Sequence, residues 1–131
     1  MKLIDVKIIT PKGIYKETKS PIVNCVSKEG ERGILPDHMP IVLSLAISKL
    51  ALDEDGKRNY YALSGGILYF KDNVSTIITP AIESAEDVDV ARAQRAAERA
   101  KKHLDNPDAD IIRAQSALSR ALNRIDVANR K

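Results

Sequence analysis

The chain predicts an α+β fold, a β domain followed by a helical hairpin. Up to residue 84 the apolar residues alternate or cluster in short β-rich runs, broken by Gly and Pro. From Ala85-Glu86-Asp87 onward, Ala, Leu, Ile and Arg recur at three- and four-residue spacing, and Pro107 is the only proline left. A period of two followed by a period of 3.6 means a sheet and then helices, each burying its apolar side differently. Residues 1–84 are therefore assigned to a β domain and residues 85–131 to a helical appendage.

The strands follow in order. Leu3 to Thr10 alternates and ends at the turn Pro11-Lys12-Gly13. Gly13 to Lys19 and Ile22 to Ser27 read as two more strands, separated at Ser20-Pro21. Gly30 to Pro40 reads as a long loop, because its two glycines and two prolines disfavour a regular ladder. Leu45 to Leu52 alternates, Asp53-Glu54-Asp55-Gly56 turns, and Lys57 to Leu63 returns as a hairpin partner. Ser64-Gly65-Gly66 kinks the chain before Ile67 to Phe70, and Asp72-Asn73 closes a hairpin into Val74 to Thr79. Short strands at this spacing suggest a sandwich or flattened barrel.

Asp87 is the candidate N-cap of the first helix, with Asp89 in its first turn, where carboxylates suit the helix dipole. That helix presents Ala93, Ala96, Ala97, Ala100 and Leu104 on one side. Asp105-Asn106-Pro107-Asp108 stops it, and Asp108 is the candidate cap of the next. Helix two presents Ile111, Ala114, Leu118, Ala121, Ile125 and Ala128 as a seam. A short loop between two seams makes an antiparallel hairpin. Alanine buries little area, so at about 25 cal/mol per Å² the pair packs weakly and is able to open.

Net charge is +3, from 21 basic and 18 acidic residues, too even a balance to argue for nucleic acid. Cys25 is the single cysteine; it has no internal disulfide partner, and its apolar run suggests a buried small hydrophobe. No stretch approaches the roughly 18 apolar residues of a membrane span, and the N-terminus lacks a cleavable leader pattern. The expectation is a soluble intracellular protein that meets membranes only through partners.

Three groups of residues are candidates for function. Arg92, Arg95 and Arg99 share one face of helix one, and Arg113, Arg120 and Arg124 share one face of helix two. Folding the hairpin brings the stripes together as an anion site; alternatively they are a solvated face in which Asp89 pairs with Arg92 and Asp110 with Arg113. His38 has no Cys or His at metal-ligand spacing and no nucleophile beside it, so it reads as a loop or interface histidine. Ile34, Leu35 and Met39 either fold back onto the sandwich or form a contact patch. Ser64-Gly65-Gly66 is no nucleophile elbow and no phosphate loop of the Gly-x-x-x-x-Gly-Lys type exists, so no catalytic or metal-binding residue is assigned.

The loop Gly30-Glu31-Arg32-Gly33-Ile34-Leu35-Pro36-Asp37-His38-Met39-Pro40 resembles the Gly-Glu-x-Gly-Ile-Leu-Pro-x-His-x-Pro segment of the epsilon subunits of F-type ATP synthases. Ser64-Gly65-Gly66-Ile67-Leu68 is similar to that family's Ser-Gly-Gly strand junction. Ala85-Glu86-Asp87-Val88-Asp89-Val90-Ala91-Arg92-Ala93 resembles the start of its C-terminal helices. Asp37 and Met39 stand where Gly and Ala are common in the family.

The resemblance implies a β-sandwich of about ten strands followed by an antiparallel α-helical hairpin. It implies a central-stalk rotor subunit bound to the gamma subunit and resting on the membrane ring of c subunits, peripheral at the cytoplasmic face of the cell membrane. Such a chain couples proton- or sodium-driven rotation to ATP synthesis and catalyses nothing itself. Its hairpin extends along gamma into the alpha/beta catalytic head and inhibits ATP hydrolysis. By position, Glu31, Ile34, Leu35, His38 and Met39 belong to the partner-contact loop. Some relatives bind ATP through an Ile-Asp-x-x-Arg-Ala motif, which Val88-Asp89-Val90-Ala91-Arg92-Ala93 matches with Val for Ile. Glu83, Arg99, Arg120 and Arg124 occupy the other matching positions. No cofactor is required on this reading, and ATP is a regulatory ligand. The alternative is a free-standing ATP-sensing module whose hairpin closes on nucleotide.

Overall fold

The structure, a computed structural model, describes residues 2–106 and 110–130. Strands β1 (Ile4–Thr10), β2 (Gly13–Ser20), β3 (Val23–Ser27), β4 (Gly30–Ile34), β5 (Ile41–Glu54), β6 (Lys57–Lys71), β7 (Val74–Ile78) and β8 (Ile82–Ser84) come first. A 3-10 turn (Ala85–Asp87) then leads into α1 (Val90–Leu104) and α2 (Ile111–Ala128). The strands form one sheet in the order β2-β1-β7-β6-β5-β3-β4, with β8 added against β6. All neighbours are antiparallel except β1 and β7, which run parallel.

The strand count is eight rather than about ten because β5 and β6 run unbroken through a bend. Inward-facing residues on β5 are Leu43 and Leu45, then Leu50 and Leu52; on β6 they are Tyr61 and Leu63, then Leu68 and Phe70. In each strand the inward parity switches midway. The switch falls between the pairs Leu45↔Gly66 and Ile47↔Ser64, where the sheet folds over itself. Each long strand therefore serves both layers of the sandwich, with a single core between them. Gly66 makes the bend possible. Its φ is +120°, and an added Cβ would lie 2.1 Å from the carbonyl oxygen of Ile78.

Gly30–Ile34, expected to be loop, is a strand, pairing with β3 from Ser27↔Gly30 to Val23↔Ile34. It lies at the sheet edge, where one partner suffices and glycine is tolerated; Pro36 and Pro40 fall beyond it. Cys25 is buried, as its apolar run suggested, and burial pushes its thiol up to about 11 against the opposing pull of Arg32.

The lower edge of the sandwich is closed by a polar cluster. Glu54, buried on β5, accepts from Tyr61 Oη at 2.5 Å, Thr18 Oγ1 at 2.7 Å and Asn59 Nδ2 at 3.2 Å. Lys16 Nζ lies 3.0 Å from the same carboxylate and donates to Tyr61 Oη at 2.7 Å. Burial alone would raise the Glu54 pKa, but these donors hold it down at about 2. Burial and the adjacent carboxylate push the Tyr61 phenol up to about 12.

Asp87 does not cap α1, since the 3-10 turn takes it up. The cap is Asp89, whose carboxylate accepts the Arg92 backbone N–H at 3.0 Å. Asp110 caps α2 in the same way through Arg113 N at 3.1 Å. The expected stop at Pro107 and cap at Asp108 lie outside the described residues. The helices meet on alanines, Ala93, Ala97 and Ala100 against Ala114 and Ala121. Leu104, Leu118 and Ile125 are only half-buried and Ile111 is exposed, because the close approach that alanine permits leaves larger side chains flanking the seam. The foot of α2 docks on the sheet through Val127, which packs with Ala62 and Ala85 beside Tyr60.

Candidate functional site

Two surfaces of the molecule hold the residues singled out by sequence. The first is a groove between the hairpin and the sheet. Arg92, Ala96, Arg99 and His103 recur at four, three and four residues along α1, and Arg113, Ala117, Arg120 and Arg124 do the same along α2. This spacing gives each helix one basic face. A cleft of about 380 Å³ is lined by Glu83, Ala96, Ala117, Arg120, Asn123 and Arg124 together with residues of β6 and β8. A second, of about 440 Å³, is lined by Ala96, Arg99, His103, Asp110, Arg113 and Ala117 among others. The shared alanines Ala96 and Ala117 make the two clefts contiguous.

Glu83 on β8 accepts from Arg124 Nε, an ion pair in which both side chains are half-buried. Among the described residues Arg92, Arg99, Arg113 and Arg120 make no ion pair. The expected Asp89–Arg92 and Asp110–Arg113 side-chain pairs are replaced by caps, since both carboxylates accept backbone N–H groups. Glu83, Arg99, Arg120 and Arg124 thus come together around the clefts. Arg92 lies on the same face of α1, one turn before Ala96. Val88 and Ala93 are buried behind it and Asp89 is at the cap. Sequence reasoning missed Asn123, whose amide donates to the carbonyls of Ser48 at 2.9 Å and Leu63 at 3.4 Å. A polar residue within an amphipathic helix carries no signal of a partner so distant in sequence.

The second surface is the outer face of the first layer. Ile67, Ile78, Ile9 and Ile14 stand side by side across β6, β7, β1 and β2. Val42 and Tyr69 are paired in the next row, with Val74 nearby on β7. Ile14, Val42, Ile67, Tyr69, Val74 and Ile78 are all exposed. A contiguous apolar patch on a sheet face marks a contact surface.

The loop after β4 adjoins this face. Ile34 is 2% exposed and belongs to the core, so for that residue the fold-back alternative holds. Leu35 and Met39 are 57% and 72% exposed. His38 sits edge-on against Phe70 with ring centroids 6.0 Å apart, and its Nδ1 is 2.7 Å from the Met39 carbonyl. Asp37 has φ +67°, a conformation short polar residues tolerate in place of glycine. It is held there by the Asn73 side chain, which accepts from Asp37 N at 2.6 Å and donates to Asp37 Oδ1 at 3.0 Å. Glu31 is exposed on β4 and 3.5 Å from Lys49 Nζ. Among the described residues no group of His, Cys, Asp and Glu could hold a metal, and no helix is long and apolar enough to cross a membrane.

Residues 3–85 match the family described as ATP synthase, Delta/Epsilon chain, beta-sandwich domain. Residues 86–129 match its companion, the long alpha-helix domain. Sandwich and hairpin together thus define the class, the delta/epsilon chains of ATP synthases. The ATP synthase epsilon chain of Bacillus subtilis (strain 168) is 41% identical over 132 residues, covering 99% of this chain and 100% of that one. That of Ligilactobacillus salivarius (strain UCC118) is 36% identical over 132 residues, covering 96% and 95%. A chain in the cryo-EM structure of the Euglena gracilis mitochondrial ATP synthase, OSCP/F1/c-ring, has the same fold at TM-score 0.80 and 24% identity, covering 98% of this chain and 82% of that one. The protein described here belongs to the epsilon subunits of F-type ATP synthases.

Proposed function

We propose that this chain is a non-catalytic rotor subunit of the central stalk, coupling ion-driven rotation to ATP synthesis and restraining ATP hydrolysis through its hairpin. The observation that carries this reading is the apolar row Ile67–Ile78–Ile9–Ile14, exposed except at the half-buried Ile9 and flanked by the exposed Val42 and Tyr69. An apolar sheet face of this extent fits an obligate partner, here the gamma subunit. Residues 1–84 do the docking. The c-ring is met by Glu31, Leu35, His38 and Met39 on the adjoining edge, and any membrane contact is made through these partners at the cytoplasmic face. Residues 85–131 are the regulatory part, and the alanine seam lets the hairpin open toward the alpha/beta head at low cost.

The test is co-purification with gamma. Ile78→Asp places a charge in the centre of the row and should abolish the complex while leaving the circular dichroism of the free chain unchanged. Retention of gamma by the variant would overturn the docking assignment.

A second layer of the proposal is regulatory ATP in the helical groove, favoured by Arg99, Arg113 and Arg120 around Ala96 and Ala117, which make no ion pair among the described residues. Arg92, Arg99, Arg120 and Arg124 would hold the phosphates, with Val88, Asp89 and Ala93 shaping the start of α1. Calorimetry of the chain alone with ATP, beside Arg92→Ala and Arg124→Ala, tests it. Binding lost in both variants makes ATP a latch that holds the hairpin shut. Absence of saturable binding at millimolar ATP leaves the basic faces to solvent or to partner subunits.

A further inference from the structure

The ties from the helices to the sandwich gather at one end of the hairpin. Asn123 donates to the carbonyls of Ser48 and Leu63, Arg124 pairs with Glu83, and Val127 is fully buried against Ala62 and Ala85. Just past the helix, the Arg130 guanidinium lies over the Tyr60 ring, 5.8 Å from its centroid. These ties fall in the last third of α2 or directly after it. At the far end of the pair, Leu104 is half-buried and Ile111 and Ile112 are 52% and 77% exposed.

The fastened end is also where the hairpin joins the β domain. The link from β8 to α1 is the 3-10 turn Ala85–Asp87, followed by Val88 in extended conformation. Ala85, 4% exposed, is enclosed between Ala62 on β6 and Val127 on α2. The small side chains of Ala62 and Ala85 let the valine seat directly on the turn. Glu86 of the turn also pairs with Lys57 at 3.5 Å, but both side chains are 70% exposed, and so solvated a pair contributes little. Buried apolar contact is the stronger hold, so the C-terminal end of the chain covers the link on which the hairpin turns.

We propose that the last turn of α2 is a latch on this hinge, so that the hairpin opens in a fixed order. Val127 leaves Ala85 and Ala62 first, and only then does the 3-10 turn rotate and carry α1 away from the sheet. This order presupposes the mobile, regulatory hairpin proposed above. While Val127 stays seated, α1 is held through the alanine seam to a helix that is itself fixed to the sheet. Parting of the helices from their far end opens the seam but leaves Ala85 covered, and the hinge stays locked.

The test is native-state hydrogen exchange on the full chain, read residue by residue. Val127→Ala should speed exchange in the last turn of α2 and in the 3-10 turn together, roughly tenfold at each, since the shortened side chain uncovers Ala85. Arg130→Gln removes the stack over Tyr60 at an exposed position and should shift both in the same sense, about two- to threefold. Leu104→Ala loosens the far end of the seam and should quicken exchange there while the turn keeps its rate. The strands carrying Leu68 and Ile77 should be unchanged in all three variants, which separates local release from loss of the whole fold. An unchanged turn in Val127→Ala, or a turn that quickens as much in Leu104→Ala, would overturn the latch. The regulatory role is read separately, as ATP hydrolysis by the assembled synthase, which Val127→Ala should lower. Joint release of turn and foot with hydrolysis unaltered would support the latch and remove the inhibitory role of the hairpin.

Discussion

The side-chain amide of Asn123, in the C-terminal third of α2, stands 2.9 Å from the carbonyl oxygen of Ser48 on β5. Its second acceptor, the Leu63 carbonyl at 3.4 Å, belongs to the residue directly opposite Ser48 on β6. One helix residue thus bridges two paired strands just beyond the bend. Asn123→Ala should weaken hairpin docking by about 1 kcal/mol, the net value of a neutral hydrogen bond. Amide exchange in α1 and α2 should then quicken severalfold while the β core keeps its protection. Uniform acceleration across the chain would mean that Asn123 supports the whole fold rather than the docked hairpin.

Glu83 and Arg124 form the second tie between hairpin and sheet, and both are shielded enough for their pairing to exceed that of a surface ion pair. A double-mutant cycle of Glu83→Gln and Arg124→Gln should return a coupling of about 1 kcal/mol in the docked state. Coupling near zero would leave Asn123 and Val127 as the whole attachment.

Stability should fall in acid through Glu54. Its folded pKa of about 2 lies below the ordinary value of 4.5. A depressed carboxylate contributes fully above the unfolded value and loses that contribution as pH falls from about 4.5 toward 2. At 1.36 kcal/mol per pKa unit, the contribution at neutral pH is on the order of 3 kcal/mol. Urea unfolding of wild type at pH 7 and pH 3 should show about 2 kcal/mol of that loss, because pH 3 still lies above the folded pKa, and Glu54→Gln should flatten the difference. An equal pH slope in the variant would place the acid sensitivity in other carboxylates.

Gly66→Ala should be the most damaging conservative substitution in the sandwich. The new methyl group meets the Ile78 carbonyl at 2.1 Å, and a φ of +120° strains any residue with a Cβ. A loss of about 3 kcal/mol or more is expected from the two effects together. Gly56→Ala provides the contrast, because its Cβ would meet nothing within 4 Å. It should cost less, and a thermal melt that ranks the pair the other way would refute the account of the bend.

Much of this architecture is legible in the residues themselves, because periodicity is local. Ile4, Val6 and Ile8 alternate as a half-buried strand must, and the arginine faces of α1 and α2 follow from spacing alone. Errors arise where a local rule meets a choice made elsewhere. Glycines in Gly30–Ile34 signal a loop, yet β3 supplies a partner and makes the segment an edge strand. Asp87 and Asp89 are equally good caps by composition, and only the 3-10 turn decides between them. The partners of Arg124 and Asn123 lie 41 and 75 residues away, across a fold that the sequence pattern does not specify at that resolution.

The bend in β5 and β6 has a mechanical consequence. The rows that present Val42, Ile67 and Tyr69 outward and the segments that carry Ser48, Ala62 and Leu63 toward the hairpin are the same two polypeptide stretches. A conventional two-sheet sandwich can shear along its midplane, where only side chains interlock. Here a load applied to the outer rows passes through covalent backbone and its ladder of hydrogen bonds directly into the seat of α2. The plate that takes a push and the bracket that holds the lever are forged in one piece.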